Sequence, residues 1–429
     1  MMNLLANARP TWGSFDLQVF VCCFRFLQSV FQEASIMVDL TQHMHKGVTG
    51  VKSSAILNFT HYCGQYPDIV KFTVGEPDFH TPDHIKTAAI KGIVDNHSHY
   101  APSNGTPGLR EAAAAFLERR YGQHYEPSEI IATNGATEAI YTVMSAILNP
   151  GDVMAMPTPL FPLYIADASL EGAEVVQIDT SATDFKLTPA ALQKVVDEYG
   201  DRLRVLVMNY PTNPTGVMYS QEELDALADV VRDRPTFVLC DEIYSELNYD
   251  QAHASMEKSL HDQVILLNGV SKSWAMTGYR IGIMAAPQAI TDQLAKVHQF
   301  ITTTEPWPMQ DAAEEAFRNG DADAREMKAA FKERRDYLYQ QLTEIGFKVI
   351  KPQGTFYIWA QIPAGLDQDD AKFVYALADQ AHVGVCAGSW FAKGGHSWLR
   401  FSYATALDEI KEGVKRIRKF VEENRNDAN

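Results

Sequence analysis

Between residues 129 and 285 short apolar runs recur, starting near 129, 153, 174, 204, 236, 264 and 280, with helical stretches between most of them. Runs of this length, bounded by turn residues and separated by helices, predict an α/β domain on a mainly parallel seven-stranded sheet, because parallel neighbours need a crossover connection. The residues that stand out chemically fall just past these runs: Gly135, Phe161, Asn213, Asp241 and Lys272. Open sheets of this kind bind ligands at the carboxyl ends of their strands, so the five are expected along one edge.

Each residue has a plain reading and a chemical one. Lys272 follows Val264-Ile265-Leu266-Leu267 in a turn of small residues. It is either a loop lysine or a partly desolvated amine that forms Schiff bases. Arg280 opens the next apolar run and is either a strand-edge arginine or a phosphate clamp. Gly135-Ala136-Thr137 opens a helix whose apolar face carries Ala139, Ile140, Val143, Met144, Ile147 and Leu148. A glycine-containing helix start offers amide groups to an anion, though most such starts hold none. Asp241 ends a buried run and is either a cap or a paired site carboxylate. Phe161 packs in a core or lies against a flat ring. Arg400, inside Trp398-Leu399-Arg400-Phe401-Ser402, is too costly to bury unpaired, so it meets either a structural acid or a bound carboxylate.

The whole run Gly269-Val-Ser-Lys272-Ser-Trp-Ala-Met-Thr-Gly-Tyr-Arg280-Ile-Gly282 resembles the lysine signature of class I/II aminotransferases, enzymes of pyridoxal phosphate (PLP) fold type I. Gly75-Glu-Pro-Asp-Phe79, Asn213-Pro-Thr-Gly216 and Asp241-Glu-Ile-Tyr244 follow the same family's order, and the resemblance spans roughly residues 40–425. It implies that Lys272 carries pyridoxal 5'-phosphate, that Arg280, Gly135, Ala136 and Thr137 hold its phosphate, and that Phe161 stacks on its ring. It further implies Asp241 against the pyridine nitrogen, and Asn213 and Tyr244 near O3′. Gly75, Asn213 and Arg400 would hold the substrate carboxylate. Tyr100 would reach the phosphate of a neighbouring subunit, which makes a homodimer with shared active sites. Gly269 departs from the serine some relatives have, so no hydroxyl reaches the phosphate from there.

The implied activity is ping-pong transfer of an amino group from an L-amino acid to a 2-oxo acid, with 2-oxoglutarate expected. Asp241-Glu-Ile-Tyr-Ser-Glu-Leu247 and Lys296-Val-His-Gln299 resemble the bacterial subgroup of aromatic amino acid and N-acetyl-diaminopimelate aminotransferases. An aspartate aminotransferase and a carbon–sulfur lyase of the same fold are the enzyme alternatives. A PLP-sensing regulator would need a DNA-binding domain in front, and residues 1–40 are too short for one.

A chain of 429 residues calls for two or three subdomains. The expected parts are an N-terminal extension, 1–36, read as dispensable; a segment, 37–75, joining the small domain; a large PLP-binding domain, 76–290; and a linking helix with a smaller α+β domain, 291–429. The net charge of -17 argues against nucleic acid and anionic membrane surfaces as partners. Residues 1–36 are too interrupted by polar residues for a membrane span and lack the marks of a secretory signal. Cys22, Cys23, Cys63, Cys240 and Cys386 show no metal spacing and suit a reducing, cytoplasmic setting.

Overall fold

The apolar runs of the central chain pair into one sheet in the computed structural model, which describes residues 39–425. Thirteen strands are labelled in chain order: β1 Val70–Lys71, β2 Ile130–Thr133, β3 Val153–Thr158, β4 Glu174–Asp179, β5 Leu203–Asn209, β6 Phe237–Asp241, β7 Val264–Gly269, β8 Gly282–Ala285, β9 Lys348–Ile350, β10 Tyr357–Gln361, β11 Val383–Gly384, β12 Cys386–Ala387 and β13 Trp398–Ser402. The large sheet has seven strands in the order β2-β8-β7-β6-β5-β3-β4. Only β8 runs against its neighbours β2 and β7; the remaining pairs are parallel.

Alternation along the strands fills two layers. Val205, Val207, Leu239, Ile265 and Leu267 face the helix Gly135–Ile147, packed with Ala139, Ile140 and Val143. Leu206, Met208, Val238, Cys240 and Leu266 face the other side, where Leu109, Leu192, Leu224 and Ala312 arrive from four further helices. Both faces of the sheet are thus covered, which is why its strands read as nearly continuous apolar runs. Helix ends follow local chemistry: Thr106 caps Pro107–Tyr121 by accepting from Leu109 N–H, and left-handed Gly122 ends it at φ 66°.

A second, antiparallel sheet has the order β12-β13-β10-β9. The helices Asp321–Ile345, Asp370–Ala381 and Leu407–Asn424 contribute to its core through Phe331, Leu338, Phe373, Leu377, Ile410 and Ile417. Strand β1 pairs with β11, so the segment before residue 75 is tied to the C-terminal part of the chain.

Some expectations shift in detail. Arg280, expected to open an apolar run, instead precedes its strand in a left-handed conformation, φ 58°. Pro306 and Pro308 flank the start of Trp307–Asn319 and separate it from Gln288–Thr302. The short strands β11 and β12 carry no readable alternation. The extension 1–36 lies outside the described residues. Residues 39–46 contain one 3-10 turn, Leu40–His43, capped by Asp39. No described helix is long and apolar enough to cross a membrane.

Candidate active site

The carboxyl ends of the parallel strands open onto a cavity of about 310 Å3. The structure brings Gly75, Ala136, Thr137, Phe161, Asn213, Asp241, Tyr244, Lys272, Arg280 and Arg400 together around it. Gly135 stands one residue behind Ala136. Tyr100 is elsewhere, 83% exposed.

Lys272 reaches in from the turn after β7 and donates to Gly75 O at 2.7 Å. Loss of hydration lowers its ammonium from 10.5 to about 8; Glu76 and Asp241 oppose that shift, and Arg280 and Arg400 add to it. The lowered value raises the neutral fraction of the amine far above that of an exposed lysine, and the neutral amine is the form that attacks a carbonyl.

The helix Gly135–Ile147 starts without a side-chain cap from Asn134. Its first amides therefore face the cavity edge with the positive end of the helix dipole. Arg280 lies against that end, donating to Thr277 O and Asn134 O, both at 3.1 Å. A Cβ on Gly135, which sits at φ 70°, would overlap the Arg280 guanidinium, so glycine makes the close approach possible. Arg280 pairs with no carboxylate among the described residues. Amides and an unpaired guanidinium together form a seat for a phosphate.

Across the cavity Asp241 ends β6, 5% exposed. Its Oδ2 accepts from Tyr164 Oη at 2.6 Å and its Oδ1 from Ile243 N–H at 3.1 Å. Burial raises its pKa, while Tyr164, Ile243 and Lys272 pull it back down. A buried carboxylate held by hydrogen bonds alone is costly unless a cation comes to it. Asn209 fixes the neighbouring loop, its Nδ2 donating to Asp241 O at 2.9 Å and its Oδ1 accepting from Asn213 N–H at 2.9 Å. Phe161 is 36% exposed, so it is a wall of the cavity rather than core filling.

Arg400 projects from β13 and is 3% exposed. It donates to Asn213 Oδ1 at 3.1 Å and Thr73 O at 2.8 Å, and its Nε has no hydrogen-bond partner among the described residues. The guanidinium lies 4.3 Å from the centre of the Tyr357 ring and 4.8 Å from that of Phe391. Tyr357 Oη in turn meets Tyr244 Oη at 3.1 Å. No described carboxylate pairs with Arg400, so its charge is left for a bound anion. The donor set fits PLP and a carboxylate substrate: a seat for a phosphate, a lysine for the carbonyl, a buried acid for a ring cation and a second guanidinium with no carboxylate partner among the described residues.

Tyr164, Asn209, Tyr357, Ser271 and Thr277 also line the cavity and were not singled out in the sequence. Tyr164 had a faint signal, three residues after Phe161 at the start of a helix. Tyr357 had none, since one aromatic in an apolar strand reads as core.

The family described as "Aminotransferase class I and II" matches residues 67–417. A Bacillus subtilis (strain 168) protein described as "Probable N-acetyl-LL-diaminopimelate aminotransferase" is 40% identical over 373 residues, 86% of this chain and 94% of that protein. The aspartate aminotransferase of Geobacillus stearothermophilus is 36% identical over 392 residues, 88% of this chain and 98% of its own. Among solved structures, the aromatic aminotransferase of Pyrococcus horikoshii OT3 superposes with TM-score 0.79 at 33% identity, covering 86% of this chain and 99% of that one. The Thermus thermophilus aspartate aminotransferase with maleate gives 0.84 at 32% identity, covering 88% and 99%.

Proposed function

The chain belongs to the class I and II aminotransferases, and we propose that it moves the amino group of an aromatic or related L-amino acid to 2-oxoglutarate by a ping-pong mechanism. Its cofactor is pyridoxal 5'-phosphate. When bound, PLP supplies the carbon that takes up the amino group and a ring that delocalises the electron pair left at the substrate Cα. Arg280 and the amides of Gly135, Ala136 and Thr137 seat the phosphate. Phe161, in the cavity wall, would stack on the ring and limit its tilt. Asp241 keeps a proton on the ring nitrogen, with Tyr164 keeping Asp241 ionised, and Asn213 and Tyr244 orient the O3′ side. Arg400, with Asn213 and the backbone of Gly75, clamps the substrate α-carboxylate. Lys272 Nζ anchors the cofactor and then carries the proton away from Cα as base and acid.

The observation that carries this reading is one cavity holding a lysine of lowered pKa, a buried acid and two arginines, none of the last three in an ion pair among the described residues. Its walls support the choice of substrate: Ile56, Phe161 and Leu163 are apolar, and Lys272, Arg280 and Arg400 are its basic side chains among the described residues. The apolar part of the wall is what supports an aromatic donor. N-acetyl-diaminopimelate is a second reading, favoured by the likeness to the Bacillus subtilis protein.

The same reading includes a homodimer, since Tyr100 stands apart from its own chain's cavity. It also includes a cytoplasmic setting, since Cys63, Cys240 and Cys386 are free thiols. The proposed division puts Thr73, Tyr357 and Arg400 in the flanking parts and the proposed cofactor contacts in 76–290, although the boundary at 290/291 falls inside Gln288–Thr302 and Ala312 beyond it still packs on the large sheet. A panel of amino acids with 2-oxoglutarate, read by product identity, tests the proposal. Phenylalanine, tyrosine or tryptophan should give their 2-oxo acids and glutamate. Turnover confined to aspartate or N-acetyl-diaminopimelate overturns the substrate choice, and release of ammonia or a thiol overturns the transfer.

A further inference from the structure

Behind the helix that opens at Gly135, three titratable side chains are sealed from water and none belongs to the cavity. His298, on Gln288–Thr302, is 0% exposed, Glu305 2% and Glu138 8%. His298 Nδ1 lies 3.1 Å from Glu138 Oε1, and its Nε2 lies 2.9 Å from Ser103 O and 3.9 Å from Glu305 Oε2. Glu305 Oε2 has no hydrogen-bond partner among the described residues.

The neighbours fix the state of the ring. A carboxylate and a carbonyl both accept, so both ring nitrogens must donate, and only an imidazolium has two N–H groups. Burial opposes that charge, but Glu138, Glu305 and Ser103 O outweigh it and hold the His298 pKa above its ordinary value.

The place of Glu138 gives this cluster its consequence. Glu138 stands in the first turn of Gly135–Ile147, and its Oε2 accepts from Asn134 N–H at 3.2 Å. Its Oε1 also accepts from Thr142 Oγ1 at 2.5 Å, but neither partner is a cation, so a buried carboxylate within one turn of Gly135, Ala136 and Thr137 repels any anion held by their amides unless its charge is balanced. The Ser103 carbonyl on the other side belongs to the segment that follows Tyr100. We propose that His298 is a positioning residue for the cofactor site: its imidazolium cancels the charge of Glu138 behind the phosphate seat and ties the Ser103 segment to the same helix.

This rests on the phosphate seat proposed above, and the test separates the two. The rate of PLP release from the holoenzyme is measured by gel filtration and cofactor absorbance for the parent, His298→Leu, Glu138→Gln and the double variant. His298→Leu should release PLP about tenfold faster, the worth of one charge-assisted hydrogen bond. Adding Glu138→Gln should restore most of the retention, because the amide still accepts from Asn134 N–H but carries no charge to cancel. A merely structural histidine predicts the opposite, a double variant worse than either single one. Release at the parent rate in His298→Leu, or no rescue in the double variant, overturns the proposal. If His298→Leu does not fold, His298→Gln, a neutral donor, enters the same comparison with the same outcomes. If the parent itself holds no PLP on Lys272, the seat fails rather than the histidine.

Discussion

Tyr164→Phe removes one oxygen from the site and leaves the ring that fills its place. The lost hydroxyl donates at 2.6 Å to the buried Asp241 Oδ2, and it stands first among the groups that hold the Asp241 pKa down against burial. A hydrogen bond to a charged acceptor nets about 1.5–3 kcal/mol. Without that hydrogen bond, burial should leave the Asp241 carboxyl more basic than in the parent. A more basic carboxylate takes the shared proton from the ring nitrogen, and the ring then draws fewer electrons from Cα. Proton abstraction should slow by about tenfold or more, since each 1.4 kcal/mol on a barrier is about tenfold in rate. Asp241→Ala should go further, by orders of magnitude, because no acid remains to hold the proton. Single-turnover stopped-flow absorbance with excess amino acid reads this step apart from product release. A Tyr164→Phe enzyme that abstracts the proton at the parent rate, in a fold that melts as the parent does, refutes the coupling. Parent-rate abstraction in Asp241→Ala makes Asp241 a structural acid.

Borohydride reduction followed by intact-mass and peptide analysis should find the PLP adduct on Lys272 in the parent and none in Lys272→Ala, which should still bind PLP through its other contacts; an adduct on another lysine defeats the assignment. Because the folded pKa of Lys272 is lowered to about 8, its neutral amine fills in as pH rises through that value. Capture of PLP by the apoenzyme should accelerate to a plateau above it, and a rate still climbing toward 10.5 would show an ordinary exposed lysine. Tyr100→Phe should weaken PLP retention while sedimentation still shows a dimer, whereas an active monomer would contradict a shared site.

What could be read in the sequence depended on whether a role is written locally. Lys272, Asp241 and Asn213 each follow an apolar strand, so strand spacing alone put them at one edge of the sheet, and β5, β6 and β7 deliver them there. Arg400 was legible for a different reason: a guanidinium in an apolar strand has to find an anion, and the structure leaves its Nε without one. Tyr164 was not legible, because its role depends on Asp241, which lies 77 residues on. The same holds for His298, whose partners lie 160 and 195 residues back. Taken alone, His298 in Lys296-Val-His-Gln299 is a helical histidine among polar neighbours. Only the packing of Gln288–Thr302 against Gly135–Ile147 turns it into a buried charge. Local pattern therefore exposes the groups that touch ligand, since these sit at strand ends and interrupt apolar runs. The groups that set the charge of those residues come from elements distant in the chain. They are fixed by tertiary packing, and Tyr164 behind Asp241 and His298 behind Glu138 are where substitution tells most about how the site is tuned.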